Sequence, residues 1–502
     1  MNSESKYRWF FWIIALGMAA LKVAFTLRPE INLFTEEAQY WLWSQNLAWH
    51  YYSKPPLIAL INFFSTSLLG INELGVRINA IVFGIGTAWV VFLFTKYLYN
   101  SEKIAFWASL MVMSTPFWII FSTVHMTDSE LVFFWILSTY WVFRGIRENS
   151  AKWWALGGLA SALGLMAKGT MILIGPFVLI YLLLTKEWRL HRLHFLAFLG
   201  AGAFGFFPGF IWNLQNNFTN YKHLAFLSGV AGEGHTFDFM AWMGRFGEFG
   251  LGQIAIFSIF LFPFLVIASI SFFRNPTKTD LYLLLFPVLS WIGFGLVTFL
   301  NDVEANWPVF AYPVLPIFMS KWFFQQSETW LKFRNWGVTF SLGIPLLLLS
   351  PDLYSFKDFQ VFKKVEKASF RRMVGYEPLA KRIEFLRDSL HLGEDFLFSE
   401  SYHMASEMAF YLPDHPQTYT VNLGTRKNQF DLWEGLENQV GKDRVGIFVS
   451  WNKNSPEGAT VFEELVYEEK FPVWFKGDSL RQATIQIWKN LQEYTPLISD
   501  TY

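Results

Sequence analysis

The chain of 502 residues contains no cysteine, so disulfides, thiolate metal sites and a cysteine nucleophile are all excluded. Charged residues are also scarce: Asp, Glu, Lys and Arg make up 16% of the chain, and the formal net charge at pH 7 is zero. Without a basic excess, the composition does not favour a nucleic-acid partner. The sequence shows no internal repeat and no low-complexity segment.

Apolar and aromatic side chains are what the sequence has in excess. Hydrophobic residues make up 53% of the chain and aromatic residues 20%, and the mean hydropathy is +0.28. This composition is too apolar for one soluble domain and predicts a polytopic α-helical membrane protein. About eleven runs are long and apolar enough to span a membrane: residues 9–27, 76–95, 104–121, 130–145, 154–168, 170–185, 195–212, 253–273, 281–299, 307–324 and 334–350.

A shorter apolar run, residues 55–70, begins at a Pro-Pro pair and ends at a glycine. It predicts a re-entrant or interfacial helix in the first outer loop, with a twelfth span as the alternative. The first apolar run follows Lys6 and Arg8, as the apolar run of a signal peptide would. No small-residue cleavage site comes after it, so we expect an uncleaved first span.

The orientation of the spans follows from the basic residues of the loops. One set of loops carries 15 Lys and Arg against six Asp and Glu, and the other set, with the outer halves of the spans, carries seven against eleven. Because basic loops stay in the cytoplasm, the first set is predicted to be cytoplasmic. With an odd number of spans, the N-terminus would be cytoplasmic and the C-terminal region extracytoplasmic.

The chain is predicted to divide at residue 350. Residues 1–350 carry 22 Lys and Arg against 17 Asp and Glu, and residues 351–502 carry 18 against 23 and contain no spanning run. We therefore expect a membrane domain, 1–350, and a soluble domain, 351–502. In the latter, short β-like stretches alternate with helical ones and predict a small α/β domain that acts as a structural or acceptor-contacting cap. The predicted strands are 396–398, 418–421 and 445–449, and the predicted helices are 402–411, 429–440 and 479–491.

The predicted topology places most unusual polar residues on the outer face. An acid at the membrane boundary is a site hypothesis by default, although a solvated acidic loop, a helix cap at Asp128 and a snorkelling Lys168 are the plain alternatives. Histidines with nearby carboxylates leave a divalent cation as an open alternative. The outer-face set comprises Glu36, Glu37, Lys54, His125, Asp128, Lys168, His235, Arg245 and the stretch 302–308, which includes Trp307.

Carboxylates combined with lysines and an arginine suit one chemistry at a membrane surface. A carboxylate can act as general base on a hydroxyl, and Lys or Arg can hold a phosphate and stabilise its charge as it leaves. Aromatic side chains suit membrane interfaces and sugar stacking, although most of them must lie in belts and cores.

At these residues the chain resembles the GT-C glycosyltransferases that use polyprenyl-phosphate sugars, in the bacterial branch near the lipid A aminoarabinose transferase and the protein O-mannosyltransferases. The resemblance covers nearly the whole chain and is specific in combination. Its motifs are Glu36-Glu37-Ala38-Gln39-Tyr40-Trp41, Tyr51-Tyr52-Ser53-Lys54-Pro55-Pro56-Leu57, Thr127-Asp128, Ala167-Lys168, Asn306-Trp307-Pro308 with Tyr312-Pro313, and Asn428-Gln429-Phe430-Asp431-Leu432-Trp433.

This resemblance implies a catalytic first outer loop in which the first acid, here Glu36, is the base. The family usually has Asp there, so either Glu36 or Glu37 fills that role, and Ser53 stands where relatives often carry an acid. Asp128 and Glu37 would orient the substrates. Donor phosphate would be bound by Lys54, Lys168 and Arg245, and substrate contacts would come from Tyr40, Tyr51, Tyr52, His125, His235 and Trp307.

The expected function is inverting transfer of a sugar from a polyprenyl-phosphate donor on the periplasmic face of a bacterial inner membrane. The expected acceptor is lipid A, lipopolysaccharide or another envelope glycan, with a protein acceptor as the alternative. No cofactor is required by this reading, although a divalent cation stays open. A flippase or transporter of polyprenyl-linked sugars is the rival from another class, but it is expected to show inverted repeats and acids at mid-depth.

Overall fold

The computed structural model describes residues 4–227, 238–350, 364, 367–452 and 454–497. The chain forms two compact units. One, the membrane unit, comprises Met1–Ala24, Lys54–Ile58 and Arg77–Tyr354, and the other, the sheet unit, comprises Phe25–Ser53, Ala59–Val76 and Ser355–Tyr502. The sheet unit therefore draws the first predicted outer loop together with the C-terminal region, whereas the sequence predicts a single division at 350.

Four helices in the described residues are long and apolar enough to span a membrane: Ser5–Thr26, Glu73–Tyr99, Trp188–Gln215 and Lys278–Val297. The pair Phe239–Phe257 and Phe262–Arg274 passes the same test when taken together, but it is bent by 99°. The total of eleven spans thus stays a prediction. Other helices of at least nine residues before residue 350 are Thr35–Gln45, Leu57–Leu69, Glu102–Met113, Thr127–Glu148, Ala151–Ala167, Ile174–Leu184, Thr219–Leu227, Leu315–Phe324 and Glu328–Leu349.

Small residues allow the membrane helices to approach closely. A Cβ on Gly158 would lie 2.4 Å from the carbonyl oxygen of Phe198, and one on Gly205 would lie 2.3 Å from that of Ala162. Such backbone contacts are typical of helix interfaces in membranes, where packing replaces the hydrophobic driving force. The helix Ala151–Ala167 is thereby fixed against the helix Trp188–Ala203, and Lys168 follows directly at its end.

The C-terminal part of the sheet unit is built on five strands: β1 (Asp395–Ser399), β2 (Thr418–Thr420), β3 (Val445–Ser450), β4 (Thr460–Phe475) and β5 (Asp478–Tyr494). Their order in the sheet is β2-β1-β3-β5-β4. β1 pairs in parallel with β2 and β3, while β5 pairs antiparallel with β3 and β4. The three predicted strands are confirmed, and so is the helix Tyr402–Tyr411.

Two sequence-based predictions in this region are wrong. Residues 479–491, predicted as a helix, form most of β5, because Ala483, Ile485 and Ile487 alternate along the buried face that packs on the helices Tyr376–Ser389 and Tyr402–Tyr411. Residues 429–440 form two short 3₁₀ turns, Gln429–Leu432 and Leu436–Gln439, rather than one helix, and Gly435 separates them.

The helix Tyr402–Tyr411 has a second apolar face, which packs against the helix Thr35–Gln45 of the first outer loop. Ala405, Ala409 and Phe410 on this face form one buried cluster with Ala38 and Trp41 of the helix Thr35–Gln45. This packing fixes the acidic helix of the first loop on the C-terminal region, and both belong to the sheet unit.

Candidate active site

The two adjacent glutamates of the first loop have different environments. The helix Thr35–Gln45 begins after Phe34, and the Glu37 carboxylate accepts a hydrogen bond of 2.8 Å from the backbone N–H of Phe34. Glu37 is fully buried. A carboxylate in this position satisfies a free donor and suits the positive end of the helix dipole. Glu37 therefore stabilises the start of the helix.

Glu36 carries a carboxylate that is partly open to solvent, with 23% of its side chain exposed. Arg372 donates from Nη2 to both carboxylate oxygens, at 2.8 and 2.7 Å. Thr35 completes the group: its hydroxyl donates to Glu36 at 2.8 Å and accepts from Nε and Nη2 of Arg372 at 3.0 and 2.7 Å. Charge-assisted bonds of this kind fix the orientation of the carboxylate.

Arg372 is itself held in place by a junction between the first loop and the start of the C-terminal region. The backbone N–H of Asn32 donates to the carbonyl of Met373 at 2.7 Å, and Asn32 Oδ1 accepts from the N–H of Tyr376 at 2.8 Å. Gly375 has a φ of +97°, and a Cβ there would lie 2.4 Å from the Val473 side chain. Only glycine both adopts this φ readily and leaves room for the Val473 side chain, so glycine is required at position 375.

His403 adds an imidazole to the same surroundings. Burial lowers the pKa of His403 to about 4, the charge of Glu36 opposes that shift, and the charges of Arg372 and Arg426 add to it. At neutral pH the ring is therefore uncharged. Neither Arg372 nor His403 is among the predicted site residues, and no local motif in the sequence marks them.

A second carboxylate centre lies in the membrane unit. Asp128 is in the first turn of the helix Thr127–Glu148, for which Met126 is the N-cap. Lys168 Nζ donates to both Asp128 oxygens, at 2.8 and 3.0 Å, and Asn306 Nδ2 lies 3.4 Å from one of them. The Asp128 side chain is only 3% exposed and that of Lys168 13%. Three separate sequence motifs thus meet at one buried ion pair.

His125 precedes Asp128 in the sequence and is buried. Its Nε2 lies 2.9 Å from a carboxylate oxygen of Glu130, and neither side chain is exposed. Among the residues that the structure describes, no group of three or more His, Asp or Glu side chains has the arrangement of a metal site. The other predicted histidine, His235, lies outside the described residues.

Of the predicted phosphate ligands besides Lys168, Lys54 is partly exposed and precedes the helix Leu57–Leu69. Arg245 lies on the helix Phe239–Phe257 and donates to the carbonyls of Thr298 and Phe299 at 2.8 and 3.3 Å. These carbonyls follow the end of the helix Lys278–Val297, so Arg245 acts as a C-terminal cap there.

The predicted substrate-binding tyrosines are packed into the protein. Tyr51 is fully buried and stacks on Trp43 with ring centroids 4.5 Å apart, and its hydroxyl donates to the Trp43 carbonyl at 3.0 Å. Burial raises the pKa of Tyr51 to about 12. Tyr40 and Tyr52 are also buried, whereas Trp307 is partly exposed and contacts Phe294. A substrate role for these four residues stays a prediction.

One buried cation has no place in the predicted site. Lys22, on the first helix, is 1% exposed, and its ammonium lies 3.5 Å from the centre of the Trp118 ring and donates to the Ser122 hydroxyl. A lysine inside an otherwise apolar run is the signal that could have marked it. Ser122 is the C-cap of the short helix Pro116–Phe121, and the loop that follows leads to Asp128. Lys22 therefore holds the start of this loop in place.

Comparison with known proteins finds similarity to glycosyltransferases. Residues 53–212 match the protein family described as dolichyl-phosphate-mannose-protein mannosyltransferase. The chain is 30% identical over 173 residues to the lipid A galacturonosyltransferase RgtD of Rhizobium johnstonii, a stretch that covers 34% of this chain and 36% of that protein. It is 26% identical over 143 residues to the undecaprenyl phosphate-alpha-4-amino-4-deoxy-L-arabinose arabinosyl transferase of Wigglesworthia glossinidia brevipalpis, covering 27% and 25%.

The fold is shared over nearly the whole chain with a solved structure. ArnT from Cupriavidus metallidurans, bound to undecaprenyl phosphate, superposes with a TM-score of 0.66 at 13% identity and covers 96% of this chain and 98% of that one. The predicted resemblance and the polytopic helical GT-C fold are confirmed. The matched stretches cover 36% and 25% of the length of these two curated relatives, so the activity and substrates of the chain are matters for proposal.

Proposed function

We propose that the protein is an inverting membrane glycosyltransferase that moves a sugar from a polyprenyl-phosphate donor to a hydroxyl group of a lipid A-type acceptor. The observation that carries the proposal is the Glu36 carboxylate, which is partly exposed and oriented by Arg372 and Thr35. The relatives support it, because one is named for transfer to lipid A and the solved ArnT structure holds undecaprenyl phosphate.

Glu36 is the general base in this proposal. It accepts the proton of the acceptor hydroxyl while the oxygen attacks the anomeric carbon, and the bond from that carbon to the phosphate oxygen breaks. The electron pair of the broken bond leaves with the polyprenyl phosphate. Glu37 does not take this role, because its carboxylate is buried and caps its own helix. Arg372 is a positioning residue that keeps the Glu36 carboxylate aimed.

Phosphate recognition is assigned to cations of the membrane unit. Lys54 is partly exposed, and Lys168 keeps further N–H donors besides those that bind Asp128. Asp128, which also accepts from Asn306, holds Lys168 in a buried position, and because this ion pair is neutral overall Lys168 would act on a phosphate as an oriented hydrogen-bond donor. Arg245 contributes less, because two of its donors already bind backbone carbonyls.

Replacement of the two glutamates, one at a time, tests the assignment of the base. Glu36→Gln should lower the rate of sugar transfer in isolated membranes by about 10²–10⁴, the usual effect of losing a general base. Glu37→Gln should keep most of the transfer rate and lower stability by about 1 kcal/mol through the weakened cap. The measurement is the mass increment on extracted lipid with a polyprenyl-phosphate sugar as donor. Full transfer by Glu36→Gln would sink the assignment.

A protein acceptor is the second candidate, because the family that matches residues 53–212 is described as a protein mannosyltransferase. A deletion strain separates the two candidates. Loss of one glycosyl unit from envelope lipid or glycan supports the lipid acceptor, whereas loss of a glycan from periplasmic protein supports the protein acceptor.

A further inference from the structure

A basic groove opens on the sheet unit, outside the residues that the proposed chemistry uses. Its volume is about 510 Å³, and four cationic side chains line it: Lys367, Arg371, Lys470 and Arg481. Trp451, Asn452 and Thr484 supply aromatic and polar walls. Among the described residues that line the groove, none is a carboxylate.

The four cations of the groove are not neutralised by ion pairs within the described part of the chain. Lys367 donates to the carbonyl of Ser479 at 3.1 Å, and Arg481 donates to the carbonyl of Val374 at 2.7 Å, so their contacts are with neutral oxygens. Arg371 and Lys470 are exposed at the mouth. Four like charges gathered around one cavity favour an anion there.

Arg481 is built into the wall rather than lying loosely on the surface. Its guanidinium lies 3.5 Å from the centre of the Trp451 ring and 4.7 Å from that of Tyr376. Burial lowers the pKa of Arg481 and the charge of Arg371 adds to that shift, while Tyr376 and Glu407 oppose it. Because Arg481 also donates from Nη2 to the Val374 carbonyl and from Nη1 to the Tyr376 hydroxyl, it adds fixed positive charge to the wall, and the exposed Arg371 and Lys470 are the donors for a phosphate.

The groove is tied to Glu36 by adjacent residues of one segment. Residues 367–370 are helical, and the next two residues diverge: Arg371 lines the groove, while Arg372 binds the Glu36 carboxylate. Consecutive Cα atoms are about 3.8 Å apart, so a group held by Arg371 is close to the backbone that positions the base. The groove and the Glu36 carboxylate are therefore bordered by neighbouring residues of one turn.

We infer that this groove of the sheet unit is the place where a phosphate group of the lipid A-type acceptor is bound, apart from the residues that carry out the transfer. The identification of the ligand as an acceptor rests on the proposed function. The recognition of phosphate does not, because it follows from the charge and shape of the groove. The same chemistry would accept free phosphate or a phospholipid headgroup, and the experiment separates these sources.

The test is direct binding to the full-length protein in detergent, measured by titration calorimetry. The probes are diphosphorylated lipid A, the same lipid after enzymatic dephosphorylation, inorganic phosphate, and vesicles of phosphatidylcholine alone or mixed equally with phosphatidylglycerol. The groove variant is Arg371→Gln combined with Lys470→Gln, since both side chains are exposed and their loss should not disturb folding. The matched control is Lys442→Gln combined with Lys489→Gln, two exposed lysines of the same unit that do not line the groove.

We expect the groove variant to bind diphosphorylated lipid A about tenfold or more weakly, while the control binds it like the wild type. The wild type should also bind the dephosphorylated lipid about tenfold or more weakly. Equal binding by the groove variant and the control would overturn the inference. So would a wild type that binds only inorganic phosphate or only vesicles with phosphatidylglycerol, because the source would not be the acceptor.

Binding and transfer fail separately in this design. The titration includes no transfer step, so Glu36→Gln protein should bind diphosphorylated lipid A as the wild type does. Retained transfer by Glu36→Gln would contradict the assignment of the base but not that of the phosphate site. Retained binding by the groove variant would remove the phosphate site but leave the proposed base.

Discussion

Asp128 and Glu36 are both held by a cation, but the two ion pairs are buried to different degrees. In the membrane unit, the Asp128 side chain is 3% exposed and receives two hydrogen bonds from Lys168. In the sheet unit, 23% of the Glu36 side chain and 44% of the Arg372 side chain are exposed. A buried pair is costly to break because an unpaired charge stays behind, whereas an exposed pair contributes about 0–1 kcal/mol.

The comparison separates two roles for carboxylates. Glu36 can exchange a bond to Arg372 for another partner at small cost, as the proposed base would have to. Asp128 cannot leave Lys168 without a large penalty, so it serves by fixing that lysine. The ion pair of Lys321 and Asp280 has the same geometry as that of Lys168 and Asp128, because Lys321 donates to both oxygens of Asp280, at 3.0 and 2.8 Å. The loop charges place this third pair on the predicted cytoplasmic side, which makes it a natural control.

Removal of Lys168 should have the largest effect. Lys168→Met leaves the Asp128 charge buried, and we expect a loss of about 3–5 kcal/mol in stability together with loss of transfer. Lys321→Met should cost less stability, because the Lys321 side chain is 25% exposed, and should keep transfer. Thermal unfolding in detergent and transfer in membranes are the two measurements.

A double variant sharpens the same contrast. Asp128→Asn combined with Lys168→Met removes both charges, so stability should recover while transfer stays lost. If Lys168→Met and Lys321→Met lose transfer to the same extent, the Asp128 pair has only a structural role and the distinction between the pairs fails.

The pH dependence of stability should come next in size, and it belongs to the sheet unit. The pKa of His403 is lowered from 6.5 to about 4, so between these values the unfolded state binds more protons than the folded state. Stability is therefore fully present above about pH 6.5 and falls as the pH drops towards 4, by about 3 kcal/mol at most for this residue.

His403→Gln should flatten this dependence when unfolding is followed between pH 4 and pH 7. The dependence should not vanish, because burial also lowers the pKa of His50 to about 4. An unchanged slope in the variant would show that His403 is already open to protons, and the neutral ring beside Glu36 would have to be abandoned.

Replacement of Arg372 should have the smallest effect on stability and a moderate one on transfer. Arg372→Gln should lower kcat about tenfold with little change in KM, because the carboxylate loses its orientation rather than its substrate. Stability should change by less than about 1 kcal/mol, since the pair is exposed. Arg372→Lys should recover only part of the rate, because an ammonium cannot reproduce the fork. A loss of stability as large as that of Lys168→Met would erase the contrast between the two pairs.

Local patterns in the sequence predict much of the fold. Apolar runs locate helices such as Ser5–Thr26 and Leu57–Leu69, and the short apolar stretch at residues 445–449 locates β3. Residues 479–491 are misjudged because the alternation from Ala483 to Ile487 covers only five residues, and polar or charged residues such as Arg481 and Lys489 flank it. Pairing with β3 and β4 decides the structure there.

The candidate site is predictable only where its residues belong to motifs. Asp128, Lys168 and Asn306 stand in three motifs, and the structure brings them together. Arg372 and His403 are in no motif, and Arg372 reaches Glu36 across 336 residues. A contact of that separation leaves no trace in a local pattern. Burial also distinguishes neighbouring residues of the same type. The Glu37 carboxylate bonds the backbone N–H at the start of its helix, whereas the Glu36 carboxylate bonds Arg372.

The junction of Asn32 with Met373 and Tyr376 has a consequence for the biogenesis of the protein. The ribosome makes Glu36 early, but the residues that hold its helix in place, from Arg372 to Phe410, emerge more than three hundred residues later. During synthesis the first loop therefore lacks these contacts until the C-terminal region has been made and has folded. A chain that stops before this region therefore lacks the residues that hold the Glu36 carboxylate in place.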